Sequence, residues 1–230
     1  MTLAEKESIF NIFHILSAGD KELVHSSMLK FLIEESSSFH KEFLGKEFEN
    51  LSEISIKLET SGNVSDDGRN KRLRFDLLGY DKPKDGKLLF AIENKFKATP
   101  SVHQLELYDK YFDENKNKLH SKFTKYLIVF SEDQIPSDVR KYCDDSHSKW
   151  VIRPFFSFGQ NKPKLLDFLQ TQISKSNLPC SKERFLIKEY KEYLESIYKI
   201  LNHYIASPTY YSYNTIINTE KENLIFAPNF

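Results

Sequence analysis

Leu73-Arg-Phe-Asp-Leu-Leu-Gly-Tyr80 and Leu88-Leu-Phe-Ala-Ile-Glu-Asn-Lys95 decide how this chain folds. Both are short apolar segments that read as β-strands. Between them, Asp81-Lys-Pro-Lys-Asp-Gly86 combines proline with Asp-Gly, which reads as a turn. So short a connection predicts an antiparallel hairpin. Asp76, Glu93 and Lys95 stand out within the apolar runs. Glu93 and Lys95 are two residues apart, so on a strand they project from one face. A carboxylate and an ammonium at the end of an apolar strand are costly to bury without a partner. An acidic residue from the neighbouring strand would complete a pocket suited to a divalent cation, and the hairpin can bring Asp76 across from Glu93 and Lys95. The sequence leaves the register open, and a one-residue slip would turn Asp76 to the other face. The same three residues would also serve as a structural salt bridge.

Outward from the hairpin, the pattern alternates between the two element types. Ile9, Phe10, Ile12, Phe13, Ile15 and Leu16 predict a helix over 4–17, with Gly19 as a stop and Asp20 as the next N-cap. Leu23, Val24, Met28, Leu29, Phe31 and Leu32 line one side of a helix over 20–35, and a shorter helix follows over 39–50. Ile54, Ile56 and Leu58 alternate with polar residues, which predicts a strand over 53–60; Ser61–Gly68 then reads as a loop. After the hairpin, Pro100 and Ser101 open a helix over 100–118, Tyr126–Phe130 is a buried strand, and Pro136 starts a short helix ending near Cys143. Trp150–Phe155 is a strand that Pro154 confines to an edge or a strand end. Helices over 162–174 and 181–206 precede an irregular aromatic tail, and Tyr190, Tyr193, Leu194, Ile197, Tyr198, Leu201 and Tyr204 stripe the last helix. The order predicts an α/β fold: a central mixed sheet containing an antiparallel hairpin, flanked by helices, with a helical C-terminal region.

The 230 residues are enough for one domain, or one domain with a helical appendage. Lysine plus arginine balance aspartate plus glutamate, 33 against 33, so no global basic field marks the chain for nucleic acid; a local patch is still open. Cys143 and Cys180 lack metal-ligand spacing, which suits a reducing, cytoplasmic compartment. No stretch reads as a signal peptide or a membrane span.

The carboxylate–lysine pocket points to metal-assisted cleavage of a phosphodiester. Its residues resemble the PD-(D/E)XK nuclease superfamily: Asp76 matches the first acidic position, and Glu93-Asn94-Lys95 matches E-x-K, with sixteen residues between Asp76 and Glu93. Phe75 stands where the family name has proline. Gln104-Leu-Glu-Leu-Tyr108 is similar to the Q-x-x-x-Y element of RecB-like members, and Gln104 and Tyr108, four apart, share one helical face. Glu22-Leu-Val-His-Ser26 is similar to the N-terminal helix of a bacterial branch of the superfamily. The resemblance covers residues 10–130 and implies a restriction-endonuclease-like core. With the order of elements, it is expected to form a nuclease-like domain at 1–175, on which a helical extension at 176–230, covered by no motif, packs.

It further implies a Mg²⁺-dependent phosphodiesterase acting on DNA in preference to RNA, with Mn²⁺ as a substitute, in proteins often tied to bacterial defence against foreign DNA. Asp76, Glu93 and the backbone carbonyl of Asn94 would hold the cation. Lys95 would place the attacking water or stabilise charge developing on the phosphate. Glu22 would add an outer ligand, joined by His25 on the same helical face; a helix-dipole glutamate and a core histidine are the plainer readings. Gln104 and Tyr108 would orient Lys95 or grip phosphates, or else be a surface amide and a core aromatic. Arg69, Lys71, Arg72 and Arg74 flank the pocket and either contact phosphates or form a solvated loop. The competing class is a catalytically silent binding or regulatory module, working as a homodimer or with a partner protein.

Overall fold

A computed structural model of the chain describes residues 22–35, 44–45, 48, 54–82, 86–96, 98–131, 135–156, 165–174 and 181–205. The helix expected over 4–17, most of that over 39–50 and the tail lie outside the described residues. The chain divides into two compact units, Glu22–Phe168 and a second made by the remainder. In the first, helix α1 (Glu22–Glu35) precedes β1 (Ser55–Asp66), β2 (Arg69–Tyr80) and β3 (Leu88–Lys95). Helix α2 (Val102–Glu114) leads to β4 (Leu119–Ser131), α3 (Ser137–Asp144) and β5 (Trp150–Phe156). The five strands form one sheet in chain order. β1–β2 and β2–β3 are antiparallel, whereas β3–β4 and β4–β5 are parallel, each parallel pair joined by a helical crossover. The mixed α/β architecture is therefore as the sequence predicts.

The expected hairpin pairs Leu77 with Ile92 and Leu78 with Ala91. The expected loop at 61–68 is instead strand as far as Asp66, and the turn shrinks to Asp67-Gly68. Both turn residues have positive φ, 48° and 73°, the conformation a two-residue hairpin turn requires. β1 and β2 thus form a ribbon that outruns β3: it stays paired from Ser55–Tyr80 to Asp66–Arg69, while β2–β3 pairing stops at Leu77–Ile92. The inward side of the free end buries Val64, Leu73 and Phe75, and Phe75 stacks on Tyr108, Tyr111 and Phe112 of α2.

Helix α2 starts where Ser101 caps it, its hydroxyl accepting the Gln104 N–H at 3.3 Å. Leu105, Tyr108 and Phe112 pack with Leu78, Ala91, Leu127, Val129 and Trp150 in one core cluster. Asp109 pins α2 in place by accepting from Lys125 of β4 at 2.7 Å, Tyr142 of α3 at 2.9 Å and Trp150 of β5 at 3.1 Å. Residues alternating with this set along β3 and just past its end meet other partners: Phe90 packs edge-on to Phe48, and Phe96 stacks with His25 of α1. β5 is an edge strand, which accommodates Pro154.

Helix α4 (Leu165–Ser174) ends in the second unit, which also holds α5 (Ser181–Ile205). Ile187, Tyr190, Tyr193, Leu194 and Ile197 are buried along α5, and Lys191–Glu195 pair on it at 2.8 Å. Among the described residues no helix is long and apolar enough to cross a membrane.

Candidate functional site

Where β2 and β3 part, a polar cavity of about 280 Å³ opens. Glu22, Leu23 and Ser26 of α1, Glu59 of β1, Arg74 and Asp76 of β2, Glu93 and Lys95 of β3, and Gln104 of α2 line it. The hairpin thus brings Asp76, Glu93 and Lys95 into one cavity, with the register on the side that makes a site. The strand end explains how. Beyond Leu77–Ile92 the ladder is missing, and the Asp76 carboxylate takes the Asn94 N–H at 2.8 Å. The side chain does there what a strand carbonyl would do elsewhere.

Glu93 is 2 % exposed. Its Oε1 accepts from Lys95 Nζ at 2.5 Å and from Gln104 Nε2 at 2.7 Å. Burial, and then the Asp76 charge, push the Glu93 carboxyl up from 4.5 to about 7, against the pull of Lys95. Burial also raises Asp76, opposed by the Asn94 N–H. For Lys95, burial acts to lower the pKa, but Glu93, and more weakly Glu22 and Asp76, outweigh it, so the ammonium is held more firmly than usual.

The other expected residues divide into two groups. Gln104 is in the cavity, but it binds Glu93, and it also donates to the Tyr108 hydroxyl at 2.8 Å. Tyr108 in turn donates to the Arg74 carbonyl at 2.7 Å. Tyr108 is buried and outside the cavity lining; it ties ribbon to helix. Glu22 lines the cavity, and its Oε1 accepts the Ala98 N–H at 3.5 Å. His25 does not join it. It is fully buried, stacked on Phe96 with centroids 3.5 Å apart and edged by Phe155 at 5.7 Å. Three residues from Glu22 on a helix is nearly one turn, but here the turn carries His25 into the aromatic layer. Asn94 fastens α1 to β3: its amide donates to the Glu22 carbonyl at 3.3 Å and to Ser26 Oγ at 3.2 Å.

Sequence reasoning overlooked Glu59. It lies opposite Asp76, bracketed by the pairs Leu58–Leu77 and Thr60–Phe75, and the Glu59–Asp76 pair itself is absent from the ladder. Its φ of 47° is left-handed, a strained setting for a residue with a side chain. Its carboxylate binds Arg74. Alternation alone marks it as an outward strand residue, and nothing in the sequence signals the irregular backbone.

A divalent cation fits part of this set. Glu93 Oε2 is buried and has no hydrogen-bond partner, an arrangement proteins avoid unless something else occupies the lone pairs. Two carboxylates and a backbone carbonyl are hard oxygen donors of the kind Mg²⁺ and Mn²⁺ accept while keeping waters of their own. Among the described residues no three His, Cys, Asp or Glu side chains converge as a cage, so the protein would supply a partial shell only.

Compared with known proteins, the chain matches the family model described as the PD-(D/E)XK nuclease superfamily over residues 10–205. It is 26 % identical over 141 residues to the telomere length regulator protein RIF1 of Saccharomyces cerevisiae, a match covering 61 % of this chain and 7 % of that protein. No solved structure matches.

Proposed function

The chain belongs to the PD-(D/E)XK nuclease superfamily, and from that premise we propose that it is a divalent-metal-dependent phosphodiesterase acting on DNA. The observation that carries this reading is the convergence of Asp76, Glu93 and Lys95 in one cavity, with a buried Glu93 oxygen left unpaired.

In this reading Asp76, Glu93 and the Asn94 carbonyl would hold Mg²⁺, with Mn²⁺ as a substitute. A bound cation supplies Lewis-acid activation of water and charge relief at the scissile phosphate. The chain's own residues do the rest. Gln104 fixes the Glu93 carboxylate through Oε1, so its other oxygen keeps its aim. Lys95, 12 % exposed and held protonated by Glu93, presents a fixed positive charge to the phosphate as negative charge grows on it. Asn94 locks α1 against β3, and thereby sets Glu22 at the rim, where its carboxylate would hold a metal-bound water. A role in defence against foreign DNA is the context the superfamily resemblance implies.

The test is cleavage of supercoiled plasmid, single-stranded DNA and RNA by the purified chain with Mg²⁺ or Mn²⁺. Asp76→Ala and Lys95→Ala should each lower the rate by about a hundredfold or more, with circular dichroism unchanged. Full activity in Lys95→Ala would sink the mechanism. Calorimetric Mn²⁺ binding with no cleavage of any substrate would return the chain to a silent binding module.

A further inference from the structure

The ribbon formed by β1 and β2 presents one side to α2 and the other outward. Outward from the cavity towards the Asp67-Gly68 turn, the exposed residues are Glu59, Ser61, Asn63 and Ser65 on β1 and Arg74, Arg72 and Asn70 on β2. Every one of them carries a side chain able to donate or accept a hydrogen bond, and none is apolar or aromatic. The one acidic member, Glu59, is paired with Arg74. Arg72 is also held: its Nε and Nη2 donate to Ser61 Oγ at 3.2 and 3.0 Å across the ribbon. Two arginines on one strand face, two residues apart, sit roughly 7 Å from each other. Arg74 lines the cavity itself, so the row begins at the site.

We infer that this outward face is a track for the phosphodiester backbone of duplex nucleic acid, with Arg72 and Arg74 as its cationic contacts. The inference rests on the proposed function and names the surface that carries the substrate beyond the reacting phosphate. Guanidinium groups suit phosphates because their donors form a fixed fork. Cross-strand bonds to Ser61 and Glu59 hold both arginines before any ligand arrives, which reduces the entropy lost on binding. Short serine and asparagine side chains let the backbone approach and add donors to phosphate oxygens. Unpaired strands are gripped by stacking bases on aromatic side chains, and this face has none, so a duplex, whose bases are already stacked, is the better fit. The contacts address phosphates and not base edges, so the track carries no sequence preference.

The experiment is fluorescence anisotropy with the full chain, a labelled 20-base-pair DNA duplex, its single strand and the matching RNA duplex, over a salt series with Ca²⁺ replacing Mg²⁺. The slope of log Kd against log salt should fall by about one for Arg72→Gln and by about two for the double variant Arg72→Gln with Arg74→Gln. Arg72→Lys should keep the slope. Unchanged affinity and slope in the double variant, with wild-type binding and cleavage intact, would overturn the track and leave the nuclease reading standing. Tighter binding of the single strand than of either duplex would overturn the choice of duplex. A wild-type chain that binds none of the three probes and cleaves nothing would remove the nuclease reading, and the track with it. Mn²⁺ binding measured by calorimetry should be unaltered by Arg72→Gln, which separates the track from the cation site.

Discussion

Glu93 carries a conflict that a purely structural residue would have lost. It is buried beside a second carboxylate, and both facts raise its pKa to about 7. Between the ordinary value of 4.5 and about 7, the folded metal-free chain keeps a proton that the unfolded chain has released. The contribution of Glu93 to stability is therefore complete below 4.5 and disappears as pH rises through about 7. Asp76→Asn removes the neighbouring charge and keeps an oxygen for the Asn94 N–H. In EDTA it should be more stable than wild type at pH 8, by roughly 1 kcal/mol, and less favoured at pH 5. Urea midpoints at the two values test this; equal midpoints for both proteins at pH 8 would show that the two carboxylates do not repel. The same variant should be inactive, the familiar exchange of stability for a charged site. At this scale the sequence was informative about Asp76, Glu93, Lys95 and Gln104, because strand and helix periodicities place them. For His25 it left a site role and a core role open, since periodicity gives a direction and not what already fills the space there, here Phe96 and Phe155.

The elements explain why the site sits where it does: β2 leaves β3 and the ribbon curls over α2. Close packing at the base of the ribbon fixes the departure point. Gly79 lies opposite Phe90, and a Cβ there would meet the Phe90 ring at 2.2 Å. Gly79→Ala should destabilise the sheet unit by roughly 1–3 kcal/mol. Adding Phe90→Leu should recover part of the loss, measured by urea denaturation. No recovery would mean that the strain lies in the backbone and not against the ring. Strand identity was legible throughout from apolar runs and alternation, and so was the first hairpin from its turn. The second hairpin was not, although Asp67-Gly68 is a hairpin dipeptide. Its strands are polar on their outward side, so Ser61 to Asp66 reads as loop until α2 is known to cover the other side. Tertiary context supplied what local pattern lacked.

Across the whole molecule, charge sums to zero while the cavity stays crowded with carboxylates. Glu22, Glu59, Asp76 and Glu93 line it, offset by Arg74 and Lys95. Architecture was readable from the residue order, which also divides the chain at 175/176, whereas the contacts place the unit boundary at Phe168/Leu169, because it depends on which distant parts of the chain pack together. A cation that binds this carboxylate-rich cavity in the folded chain but finds no such site in the unfolded chain must stabilise the fold by mass action. At a hundred times its dissociation constant the gain is about 2.7 kcal/mol. In a chain of this size that raises the melting temperature of the sheet unit by roughly 5–10 °C. The rise should grow with the logarithm of Mg²⁺ or Mn²⁺ concentration, as scanning calorimetry can follow. Asp76→Ala should show no rise, and Arg72→Gln should show the full one. A melting temperature indifferent to both metals in the wild-type chain would mean that the unpaired Glu93 oxygen is not kept for a cation.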